Sequence, residues 1–284
     1  MSTLWPRITL VTCSYQQVAT LDATIRSVLD QGYPNLEYIV MDGGSRDGSV
    51  AVIRSHAHAL AHWESRPDAG QTAALIAGFA RGTGAIQGWL CSDDLLLPGC
   101  LFEVARHFAR HPATGAVYGD ALWIDAAGNY LRPKREMAFN RFALLFDHNF
   151  VAQPAMFWRS SLYREVGGLD ARFVLAMDGD LWERFSRVAP IDHVPAWWAC
   201  MRSWPGQKTR RLTSLARAEA ALLRERMPLG RLARAPAGQA ALCGAARLLR
   251  VGAKALAGGY RAEAPRELLY ELRRYRIVGA AHGA

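Results

Sequence analysis

A chain of 284 residues with 51% hydrophobic and 21% charged side chains is long and apolar enough for one large folded domain, which argues against a disordered protein. Five cysteines (Cys13, Cys91, Cys100, Cys200 and Cys243) without a Cys-x-x-Cys pair argue against a disulfide framework or a zinc site and fit a reducing, cytoplasmic compartment. The net charge of +9 is unevenly divided: residues 202–284 carry 17 Lys/Arg against 5 Asp/Glu, and residues 1–201 carry 17 against 20.

In chain order, Ile8–Cys13 reads as a short strand, and Thr20 as the cap of a helix to about Gln31 with Leu21, Ile25, Val28 and Leu29 on one face. Leu36–Met41 is a second strand ending at Asp42, followed by a polar turn through Gly48 and a helix from Ser49 to about Leu60. His62–Ser65 predicts a third strand, residues from Gly70 to Arg81 a helix, and Ile86–Cys91 a fourth strand. A helix from near Pro98 to about Arg110 follows. This alternation predicts an α/β fold with a doubly wound, mostly parallel sheet flanked by helices.

Beyond residue 115 the pattern changes. Ala116–Ile124 and Asn129–Leu131 flank Asp125–Gly128 as in a hairpin. Val151–Trp158 and Ile191–Met201 read as strands, and Asp178–Arg187 as a helix. From Leu212 the chain is Ala/Leu/Arg-rich and helical, broken by Pro228, Gly230, Pro236, Gly258-Gly259 and Pro265. The expected division is a catalytic domain over 1–210 and a basic helical C-terminal appendage over 211–284. Such an appendage suits an anionic lipid surface or a phosphorylated substrate, and equally a solvated helical face; no nucleic-acid partner is expected. Met1–Arg7 lacks the pattern of a signal peptide, and no apolar run reaches the roughly 18 residues of a membrane-spanning helix.

Polar residues gather at the carboxyl ends of the predicted strands: Thr12 to Tyr15, Asp42, Asp68 and Ser92-Asp93-Asp94. Open α/β sheets bind ligands at this edge. Adjacent carboxylates such as Asp93 and Asp94 repel unless a cation relieves them, and a diphosphate ligand brings Mg²⁺ or Mn²⁺. A second acidic pair, Asp178 and Asp180, opens a helix; one is expected to act as a base and the other to cap. His56, His58 and His62 read as the face of an amphipathic helix. Trp197, Trp198 and Trp204 suit either stacking or core packing.

Together these segments resemble the family 2 glycosyltransferases of the GT-A fold over roughly residues 7–210. The markers are Ile8 to Tyr15, Asp42 to Ser49, Asp68-Ala-Gly-Gln71, Trp89 to Asp94 and Ala176 to Arg184. The resemblance implies a metal-dependent, inverting transfer of a sugar from a nucleotide-diphosphate donor, a uridine or thymidine diphosphate sugar, to a glycan or lipid-linked acceptor. It implies nucleotide contacts from Thr12, Ser14, Tyr15, Asp42, Asp68, Gln71, Ser92 and Asp93, with Asp42 reading the base and Asp93 meeting the ribose. Asp94 would hold the metal and Asp178 would be the catalytic base. Met177 stands where the family commonly has Glu, and Arg202-Ser203-Trp204 where many relatives carry Arg-x-His. Arg202 and Lys208 are therefore candidates for the diphosphate. Phe150, Gln153, Trp158 and Asp180 are candidates for the acceptor side. Cell-surface polysaccharide synthesis, at the inner face of a membrane, is the setting such an enzyme suits. The alternatives are a catalytically inactive nucleotide- or glycan-binding domain and a sugar nucleotidyltransferase. The latter would want a Gly-rich, Arg/Lys-bearing loop after the first strand, which Thr12-Cys13-Ser14-Tyr15-Gln16 is not.

Overall fold

The structure, a computed structural model, describes residues 5–227, 229 and 235–277; the breakers Pro228 and Gly230 lie outside them. The strands are β1 (Ile8–Ser14), β2 (Leu36–Asp42), β3 (His62–Ser65), β4 (Ile86–Cys91), β5 (Leu95–Leu96), β6 (Ala116–Ile124), β7 (Tyr130–Lys134), β8 (Met156–Arg159) and β9 (Ile191–Arg202). The helices are α1 (Val18–Leu29), α2 (Ser49–Ser55), α3 (Gln71–Arg81), α4 (Cys100–Arg110), α5 (Arg141–Phe146), α6 (Ser160–Glu165), α7 (Met177–Phe185), α8 (Lys208–Arg211), α9 (Thr213–Arg224), α10 (Pro236–Leu256) and α11 (Arg266–Leu272).

One sheet runs in the order β3-β2-β1-β4-β8-β6-β9-β5, with β7 on β6. β3, β2, β1 and β4 are parallel, as expected. Beyond β4 the sheet is mixed: β8 is antiparallel to both β4 and β6, β9 is parallel to β6, and β5 is antiparallel to β9. Every residue of β1 is buried, because helices cover both faces of the sheet. Ile8 and Leu10 pack with Leu21 and Ile25 of α1 and Val104 of α4. Val11 and Cys13, on the other face, pack with Leu75 of α3, Trp182 of α7 and Leu223 of α9.

Several expected boundaries move. Thr20 does not cap α1; it lies inside the helix and donates its hydroxyl to the Ser92 carbonyl at 2.7 Å. The amide of Val18 is met instead by Asp47 at 2.9 Å. The helix after Ser49 ends at Ser55, so the three histidines share no face: His58 lies in a 3₁₀ turn, His62 on β3, and His56 pairs with Asp22 at 2.8 Å. Pro154 starts a 3₁₀ turn where Val151–Trp158 was expected to be strand, leaving β8 only four residues.

The C-terminal helices dock on the body of the molecule. Leu223 of α9 and Ala246 of α10 join the larger core cluster with Leu144 of α5. Arg250 pairs with Asp147, and Lys254 with Glu136 at 3.0 Å. Leu272 and Tyr275 pack on Leu95, Leu97 and Ile124, and the Tyr275 hydroxyl donates to Asp30 at 2.9 Å.

Candidate active site

The strand register places Ser14 beside Asp42, Asp42 beside Ser65, and Cys13 beside Cys91 along one edge of the sheet. Asp42 is almost wholly buried and organises the turn after β2. Its carboxylate accepts the amides of Gly44 and Ser45 and the hydroxyls of Ser45 and Ser65, at 2.6–3.1 Å. Asp42, expected to read a base, thus serves the loop mainly through Oδ2, while Oδ1 accepts from the Ser45 hydroxyl alone. Thr12, expected at the nucleotide, has no exposed surface, and its hydroxyl shares a 2.9 Å hydrogen bond with Tyr38.

What stands open beside that turn is Tyr15, 62% exposed, and Asp68, which accepts the Gly70 amide at 2.7 Å. They converge on Gly43. A Cβ there would sit 3.1 Å from Asp68 Oδ2 and 3.2 Å from the Tyr15 ring, so a residue without a side chain lets carboxylate and aromatic ring close on the turn. Ser14 keeps a buried hydroxyl without a hydrogen-bond partner at the same strand end.

At the end of β4, one ligand atom each from Cys91, Asp93 and Asp94 lie within 4.8 Å of one another. Burial and the neighbouring Asp93 charge push the Asp94 carboxyl well above the usual carboxylate range. The pair is held by one short segment of chain. The Arg202 amide donates to Asp94 Oδ1 at 2.8 Å, the Arg202 guanidinium to the Asp93 carbonyl at 2.7 Å, and the Trp204 indole N–H to Asp93 Oδ2 at 3.0 Å. The Trp204 ring leans over Gly206, where a Cβ would collide with it at 2.1 Å. Ser92 is buried, its carbonyl accepting from Thr20 and Thr24. Gln71 and Gln153 both meet the Cys91 sulfur at 3.4 Å.

Arg202, expected at the diphosphate, keeps one buried guanidinium nitrogen without a hydrogen-bond partner. It is buried, and its guanidinium also donates to the carbonyls of Asp125 and Ala126. Lys208 lies nearer the edge. It donates to the Val174 carbonyl at 2.9 Å, and the Cys13, Cys91 and Glu219 side chains are close enough to bear on its charge.

Asp178 sits in the first turn of α7, accepting from Asn149 at 2.8 Å and from the Gly179 amide at 2.7 Å. Burial raises its pKa to about 6. The start of α7 is not capped from within. Glu219 of α9, itself buried, accepts the amides of Val174, Leu175 and Ala176 at 2.7–2.9 Å. Thr72 of α3 donates to the Phe173 carbonyl at 2.8 Å, so the segment bearing Asp178 is tied to the helix that opens with Gln71.

Asp180 neither caps nor faces an acceptor. It has no exposed surface and pairs with Arg184 and Arg226, beside the equally buried Glu183, which pairs with Arg141, Arg187 and Arg226. Phe150 and Trp158 are corrected as well: both are fully buried, and Trp158 packs among Phe79, Trp89, Trp182 and Phe185. Trp198 is core, while the Trp197 ring carries the Arg135 guanidinium at 4.8 Å. Of the acceptor-side candidates, Gln153 alone borders the site. Gly43 lay within the Asp42 to Ser49 marker without a role of its own, and Asn149 and Glu219 were not among the expected site residues. Of these, only Glu219 left a signal, as the one acidic residue of α9.

Comparison with known proteins agrees with this architecture. Residues 9–167 match the model of glycosyl transferase family 2. An uncharacterized glycosyltransferase of Mycobacterium tuberculosis is 29% identical over 185 residues, 64% of this chain and 70% of that protein. The O-antigen biosynthesis protein RfbC of Myxococcus xanthus is 32% identical over 66% of this chain, which spans only 15% of that relative's length. Among solved structures, S. aureus TarS in complex with UDP-GlcNAc superposes with a TM-score of 0.61 at 12% identity, covering 76% of this chain and 66% of that one. A Pyrobaculum calidifontis mannosyltransferase in complex with GDP-Man and Mn²⁺ gives 0.56 at 18% identity, covering 96% and 85%. These neighbours share the GT-A fold. With more than half of its length matched by the family model and the mixed sheet to go with it, the chain belongs to glycosyl transferase family 2.

Proposed function

We propose that this chain moves a sugar from a uridine or thymidine diphosphate donor to an acceptor hydroxyl, with inversion at the anomeric carbon. The observation that carries this reading is Asp178, a buried carboxylate raised to about 6, on a segment held by Thr72 of α3, whose neighbour Gln71 meets Cys91 of the Cys91, Asp93 and Asp94 cluster. A base works best when its pKa lies near the operating pH.

The base lies at the exposed side of this turn, with the Tyr15 ring as stacking face and Asp68 as hydrogen-bond acceptor. Ser14 and Gln71 border the nucleotide, Asp93 the ribose, and Lys208 supplies positive charge toward the diphosphate. The residues fit a divalent cation: Asp94, joined by Asp93, is a carboxylate that burial and a like charge keep from ionising alone. Bound there, Mg²⁺ or Mn²⁺ supplies charge neutralisation to the leaving diphosphate. Asp178 takes the proton of the acceptor hydroxyl as that oxygen bonds to the anomeric carbon and the bond to the diphosphate oxygen breaks. A glycan or lipid-linked acceptor in polysaccharide synthesis is supported by the name of the M. xanthus relative. The setting is the cytoplasmic face of a membrane, with the protein peripheral to it. The proposed donor, metal and base residues all lie in the body, 1–210, and 211–284 is the appendage that braces it.

The test is a panel of nucleotide-diphosphate sugars incubated with the protein and Mn²⁺, with and without chelator, following hydrolysis and transfer. Turnover of one donor, abolished by chelator, is expected. Turnover that ignores chelator would remove the metal from the reading. Nucleotide binding without turnover of any donor would leave a binding domain in place of an enzyme.

A further inference from the structure

Helix α10 is amphipathic in the reverse of the usual sense. Its cations point into the molecule, Arg250 to Asp147 and Lys254 to Glu136, around a small buried seam that includes Gly238 and Ala246. Its outer face carries Leu248, 75% exposed, and Leu256, 93% exposed, with Leu249 and Val251 beside them. Ala241, Gly244, Ala245, Gly252 and Ala255 complete that face, and Arg247 is the one exposed charge of the helix. A continuous apolar face of this kind on a soluble body marks a contact with something else.

Two observations choose the occupant. A helix of 21 residues is about 30 Å long and 10 Å wide, so its face offers on the order of 300 Å². That is well below the roughly 800 Å² per partner of a stable protein interface. Charge decides in the same direction. Arg247 is exposed on α10, and beyond it Arg261, Arg266, Arg273, Arg274 and Arg276 are exposed against Glu263 and Glu267, which leaves this end of the chain positive. Two copies meeting through α10 would bring these like charges together, whereas an anionic headgroup layer would attract them.

We propose that the outer face of α10 is a lipid-docking surface, lying flat in the headgroup region of an anionic bilayer with Leu248 and Leu256 inserted and Arg247 at the headgroups. The inward ion pairs hold the helix to the body, so the docked helix carries the catalytic edge with it. The inference rests on the peripheral membrane setting proposed above and not on the donor or the metal.

The experiment is co-sedimentation of the full chain with vesicles of phosphatidylcholine alone and of phosphatidylcholine with phosphatidylglycerol, at low and high salt. The variants are Leu248→Glu/Leu256→Glu together and, as a control on another helix, Leu222→Glu, which is 54% exposed on α9. Melting curves and donor turnover in solution are followed in parallel; these side chains are exposed, so both are expected to stay unchanged. The expected result is salt-sensitive binding to the anionic vesicles that the double variant weakens by about tenfold or more and the control leaves intact. Absence of binding by the parent chain, or equal binding by the double variant, overturns the proposal. Self-association without vesicle binding, abolished in the double variant, overturns it in favour of a second copy.

Discussion

At the scale of single residues, Asp178 and Asp180 lie two positions apart and have opposite surroundings. Burial raises Asp178 to about 6, so transfer is expected to increase with pH through about 6 and level off above it, because only the carboxylate accepts a proton. The stability effect has the other sign. A carboxyl whose folded pKa lies above its unfolded value of about 3.9 contributes stability below that value and loses it as pH rises through about 6. Asp178→Asn is therefore expected to lower transfer by about 10²–10⁴-fold. Its melting temperature, relative to the parent, should climb between pH 4 and pH 7; a flat difference in that titration would contradict the assignment. Asp180→Asn leaves Arg184 without a charged partner and Arg226 with Glu183 alone, and should cost about 3–5 kcal/mol in denaturant unfolding. Trp204 acts on the other carboxylate pair. Trp204→Phe keeps the ring over Gly206 and removes the N–H from Asp93. A hydrogen bond to a charged group is worth about 1.5–3 kcal/mol, so Mn²⁺ affinity in the presence of UDP should fall about tenfold or more. Electron paramagnetic resonance of free Mn²⁺ reads this directly, with little change in melting.

At the scale of elements, the parallel half of the sheet is legible from the sequence because each strand is a short apolar run ending in a polar turn. The site residues at those strand ends are legible as positions and less so as roles. Asp42 and Thr12 stand where expected, but whether a strand-end oxygen faces a ligand or a neighbouring turn depends on partners such as Ser65 and Tyr38. Thr20 has the chemistry of a cap, yet Asp47 from another loop performs that service. The aromatic pattern does not distinguish an exposed ring from a core one, and Phe150 and Trp158 proved to be core. The least legible contact is also the one that seats the base: Glu219 reaches the start of α7 from more than forty residues away in sequence. Glu219→Ala is expected to cost about 1–3 kcal/mol, by leaving three amides unmet. It should also lower turnover while the donor dissociation constant stays constant. Equal losses in both would mean that Glu219 supports the nucleotide side instead.

At the scale of the molecule, the charge asymmetry read from the sequence is partly internal. Arg226 meets Asp180 and Glu183, Arg250 meets Asp147, Lys254 meets Glu136, and Arg274 meets Asp30 at 3.6 Å. A basic segment paired with an acidic body acts as a strap across it. Truncation after Arg211 would leave Asp180, Glu183 and Glu136 buried with fewer cations, and the amides of Val174 to Ala176 without Glu219. The truncated chain is expected to be recovered insoluble, or to unfold without a cooperative transition by circular dichroism. A cooperative, well-folded product would show the appendage to be dispensable.

The indole rings under β4 have an optical consequence. Trp89 and Trp182 stack at 5.4 Å with planes 18° apart, and Trp158 lies within 5.5 Å of both. Rings so close share their excitations, so their ultraviolet transitions split into a pair of bands of opposite circular dichroism. Trp182 rides on α7, one helical turn beyond Asp178, while Trp89 is fixed in the sheet. The amplitude of that couplet therefore gauges how firmly α7 is seated, and it can be followed without a label while donor, metal or acceptor is added.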